Sequence, residues 1–234
     1  MLDGRERSDH LRGAQPRALL AFLVLERRRS VGRGELVAAL WGESPPPAAD
    51  EALRSLLSNV RRAIDGERLI GRDALRLRLP SSTWIDVEAA AEAIHDAESA
   101  VALGEWQRGW IAAHIAISIT ERPLLPQLTS AWLDDHRERL AELRLRALET
   151  LAASGLALAG PEIATARRAA RSLIEARPLR ESGYELLMQA LAAEGNPAEG
   201  LLVFDKLRVV LRDELGATPT DAARRIHSEL LGRA

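Results

Sequence analysis

The sequence predicts a mainly α-helical protein. A winged helix-turn-helix over residues 1–80 is followed by an all-α, tetratricopeptide-like repeat domain over 84–234. Three observations predict this. The first eighty residues read as helix, helix, proline turn, helix and β-hairpin, in that order. Beyond Trp84 every long segment has helical composition and strand alternation disappears. Gly160 and Gly195, 35 residues apart, each stand where one helical pattern stops and another begins, a spacing near that of stacked helix pairs.

The elements follow in order. QPRALLAFLVLERRR (15–29) places Leu19, Leu20, Leu23 and Val24 at helical spacing, with Pro16 suited to a first turn. GRGELVAALWGE (32–43) is a shorter helix stopped by Gly42, and SPPP (44–47) forces a turn because proline cannot extend a helix. In AADEALRSLLSNVRRAI (48–64) a step of about 100° per residue puts Leu53, Leu56, Leu57, Val60, Ala63 and Ile64 on one arc. Arg54, Ser55, Ser58, Asn59, Arg61 and Arg62 fill the other side, with no acid between Arg54 and Ile64. That side is composed to meet a polar, anionic surface. RLIGRDALRLRL (68–79) gives two short strands about a Gly-Arg-Asp turn, Leu75, Leu77 and Leu79 alternating with Arg76 and Arg78. Residues 80–83 are a junction. The alanine- and leucine-rich runs 86–106, 128–160 and 166–178 are helices, and LGEWQRGWIAAHIAISI (103–119) reads as an earlier copy of the repeat.

Composition bounds the function. The chain has 234 residues, 47% hydrophobic and 28% charged, which favours a packed globular protein over disorder. With no cysteine, disulfides, thiolate metal sites and cysteine nucleophiles are excluded, and a reducing compartment is suited. The apolar run 18–25 is too short to span a bilayer, and the first dozen residues are charged, so a cytoplasmic protein without membrane association is expected. The net charge of −2 hides an asymmetry: residues 1–80 carry 15 arginines against 11 acids, and the rest carries 17 basic against 23 acidic residues. Lys206 is the only lysine, so arginine is the chain's default cation. Phosphate-binding, dinucleotide, nucleophile-elbow and zincin motifs are all missing, and five scattered histidines lack metal-ligand spacing. No enzyme activity, catalytic residue, metal or cofactor is expected. The five tryptophans, Trp41, Trp84, Trp106, Trp110 and Trp132, are expected in packing roles.

Several stretches carry a family resemblance. RALLAFLVL, ELVAALWGESPP and LRSLLSNVRRAI resemble the OmpR-type winged helix of the SARP regulators of actinobacteria. IDVEAAAEAI, AWLDDHRERLAELRLRALE, ARPLRESGYELLMQAL and VFDKLRVVLRDELGATPT resemble their bacterial transcriptional activator domain. The resemblance covers roughly residues 14–231, and PLRESGYELLMQALAAEGN and LRDELGATPT are its most specific parts. It implies a sequence-specific transcriptional regulator, an activator that binds double-stranded promoter DNA as a homodimer on direct repeats and helps RNA polymerase engage. Ser55, Ser58 and Asn59 are implied to sit deepest in the major groove, Arg54, Arg61 and Arg62 to meet phosphates, and Arg72 and Arg76 to serve the wing, Arg72 at its tip facing the minor groove. The loop Glu43, Ser44, Pro45, Pro46 and Pro47 is implied to face RNA polymerase. The family's N-terminal sheet is expected to be reduced or missing, since about 13 residues precede the first helix. Asn59 stands where relatives often carry arginine, Leu56 where they carry a polar residue, and the wing lacks the family's Gly-Tyr-Arg-Leu ending. These departures keep a second reading open, in which the helical repeats bind a protein or small ligand and the winged helix no longer reads DNA. Arg61 and Arg62 can equally complement the dipole of their own helix.

Overall fold

A computed structural model describes residues 11, 13–64 and 68–232. The expectation of a reduced N-terminal sheet falls on residues outside these. The chain forms two compact units. One holds the described residues through Thr83 together with Leu124–Glu138; the other holds Trp84–Pro123 and the described residues from Arg139 onward.

In the first unit α1 (Ala14–Leu25), α2 (Arg33–Trp41) and α3 (Ala49–Ile64) enclose a core with a small sheet. The sheet has β1 (Val31–Gly32), β2 (Leu69–Ile70) and β3 (Ala74–Leu77) in the antiparallel order β1-β3-β2. The β2-β3 hairpin turns where the sequence places it. Gly71 has φ 95°, and a Cβ there would lie 1.9 Å from the Ala74 carbonyl oxygen, so the turn demands glycine. Strand β1 is not visible as a pattern; its register, Val31 opposite Leu75, joins the α1-α2 connection to the hairpin. α1 stops at Leu25, and the arginines after it form a turn.

The sequence alone assigns residues 124–138 to the helical domain, but they pack on the first unit. Trp132 is the reason. Its ring meets Phe22 edge-on at 5.0 Å, and its Nε1 donates to the carbonyl of Ala39 at 3.0 Å. An indole lying against the core of α1 and α2 carries the neighbouring turns with it.

The second unit is all helix: α4 (Asp86–Ala102), α5 (Trp106–Thr120), most of α6 (Ala131–Leu158), α7 (Glu162–Ala176), α8 (Glu181–Ala193), α9 (Pro197–Leu215) and α10 (Asp221–Leu231). The chain bends after α4, α6 and α8 through Gly104, Gly160 and Gly195, at φ 74°, 65° and 80°. Gly160 and Gly195 are the corners the repeat spacing predicts, and Gly104 adds a third. Close packing needs a further glycine: a Cβ on Gly155 would come within 2.7 Å of Trp110 and 3.0 Å of the Glu162 carbonyl. Many alanines, among them Ala97, Ala113, Ala116 and Ala152, fill one of the two cores, whereas larger side chains such as Tyr184, Met188 and Leu207 fill the other. Not every tryptophan packs as expected: Trp41, Trp110 and Trp132 lie against cores, whereas Trp84 is 66% exposed.

Helix α10 starts on a side-chain cap. Thr220 Oγ1 accepts from the Ala223 amide and also lies 2.9 Å from Glu181 on α8. Thr220→Ala is expected to cost the second unit about 1 kcal/mol. Thermal unfolding followed by circular dichroism checks this, and an unchanged midpoint would show that the cap contributes nothing.

Candidate nucleic-acid interface

Helix α3 is built to stand on its apolar arc. Leu53, Leu56, Leu57, Val60, Ala63 and Ile64 are all buried. Asp50 and Glu51 in its first turn and Arg61 and Arg62 in its last complement the helix dipole. Leu56 belongs to the buried arc and faces the core of the first unit. On the opposite arc Arg54, Ser55, Ser58 and Arg62 are exposed, while Asn59 and Arg61 are half-buried. Within the first unit the polar arc is therefore open. At about 12 Å a B-DNA major groove admits one helix presented in this way.

Two of the arc's arginines already have neighbours. Arg62, one turn beyond Asn59, donates from Nη2 to Asn59 Oδ1. That carbonyl oxygen keeps a second lone pair and the amide its two donors. Arg61 Nη2 lies 3.5 Å from the carbonyl of Gly71, linking α3 to the hairpin turn, where Arg72 is exposed.

Arg76 is placed differently. On the face of β3 opposite the buried Leu75 and Leu77, it donates to the carbonyl of Arg28 at 3.3 Å, in the turn after α1. Ile70 stands opposite Arg76 in the register, and the Arg78 amide bonds the Arg68 carbonyl at 2.7 Å. Arg68, Arg76 and Arg78 thus share the outer face of the hairpin. The alternation with leucine signals Arg78, but Arg68 joins the group only through the strand register. A further cation not singled out by the sequence is Arg33. It reaches from the start of α2 to Asp50 at the start of α3, 3.5 Å from its carbonyl and 3.9 Å from Oδ1.

The loop from Glu43 to Pro47 leaves α2 through Gly42 at φ 59°. Glu43, Ser44, Pro45 and Pro47 are exposed and Pro46 is half-buried. Bonds from the Ser44 amide to the Trp41 carbonyl, 3.2 Å, and from the Ala49 amide to the Pro46 carbonyl, 3.0 Å, tie the loop to both flanking helices. At the other end of α2, Glu35 accepts from the Gly32 amide at 3.0 Å and from Arg29 at 2.6 Å. The amide first, then the guanidinium, holds the Glu35 carboxyl below its usual range. Its stabilising contribution is present above the ordinary carboxylate range and lost as acid titrates the lowered value.

Among the described residues no cluster of histidine and carboxylate side chains could hold a metal, and no helix is long and apolar enough to cross a membrane.

Comparison with known proteins places this geometry in context. Residues 85–231 match the family model of the bacterial transcriptional activator domain. Regulatory protein AfsR of Streptomyces coelicolor is 33% identical over 218 residues, covering 93% of this chain and 22% of AfsR. Transcriptional regulator RedD of the same species is 29% identical over 233 residues, covering 95% of this chain and 65% of RedD. The chain is thus similar to a portion of each. Among solved structures, Mycobacterium tuberculosis EmbR in complex with a low affinity phosphopeptide aligns with a TM-score of 0.81 at 25% identity, over 94% of this chain and 60% of that one.

Proposed function

The chain belongs to the bacterial transcriptional activator domain family of SARP-type regulators, a family of transcriptional regulators and not of enzymes, and on that premise we propose that its first unit binds promoter DNA through α3 to activate transcription. The observation that carries this reading is the open, acid-free arc from Arg54 to Arg62 on a helix whose other side is wholly buried. Several buried leucine-sized side chains, each contributing roughly 1.5–3 kcal/mol, hold α3 without help from that arc. Ser55, Ser58 and Asn59 then meet base edges, with Asn59 suited to the paired hydrogen bonds of adenine. Arg54, Arg61 and Arg62 meet phosphates, Arg72 at the hairpin tip the adjacent minor groove, and Arg76 the backbone beside the outer face of the hairpin. The exposed loop from Glu43 to Pro47 faces RNA polymerase, its prolines keeping the ordering cost low. Two copies bind direct repeats. The site of action is the cytoplasm.

Selection from a randomised duplex pool with the purified protein, followed by anisotropy titration, tests the DNA reading. A selected duplex is expected to bind at least about a thousandfold tighter than random duplex of equal length. Asn59→Ala is expected to cost about 1–3 kcal/mol on that duplex and to relax preference at one base pair. Equal affinity for selected and random duplexes would end the regulator reading and favour a helical-repeat interaction module.

A further inference from the structure

We infer that the first two turns of α6, through Trp132, position the α2-α3 loop for its partner. Helix α2 ends at Trp41, so the Ala39 carbonyl is among the last four, which have no partner within the helix. The Gly42 amide takes Ala38 and the Ser44 amide takes Trp41. Ala39 is satisfied from outside, by the indole N–H of Trp132 at 3.0 Å, about 90 residues further along the chain. This bond sits at the root of the loop, three residues before Gly42, where the chain leaves the helix with positive φ.

The start of the same helix is held from the same two turns. His136, one turn after Trp132 and edge-on to it at 6.0 Å, has Nε2 3.4 Å from Glu26 Oε1. Glu26 accepts from Arg29 at 2.6 Å, Arg29 donates to Glu35 at 2.6 Å, and Glu35 accepts from the Gly32 amide that opens α2. Arg137 in turn fixes the approach to α6, donating to the carbonyls of Leu124, Leu125 and Leu128 at 3.1, 2.8 and 2.9 Å. Leu125 has φ 45°, a conformation a leucine adopts only when its surroundings impose it. A segment that core packing alone retained would need the ring of Trp132, but not a hydrogen bond to the last turn of α2 or a polar chain to its first.

This inference rests on the reading that the loop from Glu43 to Pro47 faces RNA polymerase. Trp132 acts on that loop as a positioning residue and touches no partner. The test compares the wild-type chain, Trp132→Phe and a Glu43→Ala/Ser44→Ala loop variant in three measurements. These are hydrogen exchange of the amides of residues 42–44, 48 and 49, which flank the three prolines, affinity for the selected duplex, and run-off transcription from that duplex with Streptomyces coelicolor RNA polymerase. Trp132→Phe keeps a ring against Phe22 and removes the N–H. Exchange at these amides is expected to accelerate about two- to tenfold, the range a single lost hydrogen bond allows, and transcript yield to fall by a similar factor. Duplex affinity is expected to stay within about twofold. Unchanged exchange, or transcription and duplex affinity falling together, would overturn the positioning role. If instead the loop variant transcribes like wild type, the polymerase reading of the loop fails, while exchange in Trp132→Phe still decides whether the indole holds it. Should Trp132→Phe not fold, His136→Gln runs the same comparison through the other end of α2, and a variant with wild-type exchange and transcription there would also overturn the inference.

Discussion

Leu57→Ala is expected to destabilise the first unit by about 2–5 kcal/mol and to abolish duplex binding at physiological temperature. Leu57 is 1% exposed at the middle of the apolar arc of α3, in a core shared with Leu19, Leu23, Leu36 and Leu75. Truncation removes the transfer free energy of its side chain and leaves a cavity that helices fixed at both ends close only in part. A domain of this size has about 5–15 kcal/mol in total, so the loss is a large share of what holds α3 in place. The serine one residue on supplies the control. Ser58 is exposed, and Ser58→Ala is expected to change stability by no more than about 0.5 kcal/mol while lowering duplex affinity. Thermal and urea unfolding, with binding measured in parallel, separate the two effects. A Leu57→Ala protein with wild-type stability and affinity would show that the buried arc does not support the polar one.

Replacing Arg54, Arg61 and Arg62 together by glutamine is expected to weaken duplex binding about a hundredfold or more at ~0.1 M salt. The slope of log affinity against log salt should also become shallower by about 2–3, because each arginine on a phosphate releases close to one condensed counterion. The single variants are not equivalent. Arg54 is exposed on the arc, and Arg54→Gln should change the slope and leave sequence preference intact. Arg62 donates to Asn59 Oδ1, so Arg62→Gln should also relax discrimination at the base pair proposed for Asn59. Anisotropy titrations at several salt concentrations, on the selected duplex and its single-base variants, check both. An unchanged slope in the triple variant would place these arginines away from the phosphates.

Whatever a local period can encode is legible in the amino-acid order. Six apolar side chains of α3 repeat at the helical step, and the structure buries all six. Leu75 and Leu77 alternate with arginine, and they line the inner face of β3. Gly71, Gly160 and Gly195 mark bends, because only a residue without Cβ takes those backbone angles at little cost. That Val31–Gly32 is a strand emerges only from the folded chain, since two residues have no period and gain their bonds from a partner some forty positions away. The same holds for Arg68 joining Arg76 and Arg78, for Trp84 standing in solvent while Trp132 packs, and for residues 124–138 leaving the helical domain for the core of α1 and α2. A tryptophan carries the same apolar mass wherever it occurs; whether it is covered depends on which distant surface comes to meet it. Contacts three or four positions apart repeat along a helix and leave a pattern in the sequence. A contact such as that between Trp132 and Ala39 occurs once, and is fixed only when the whole core closes.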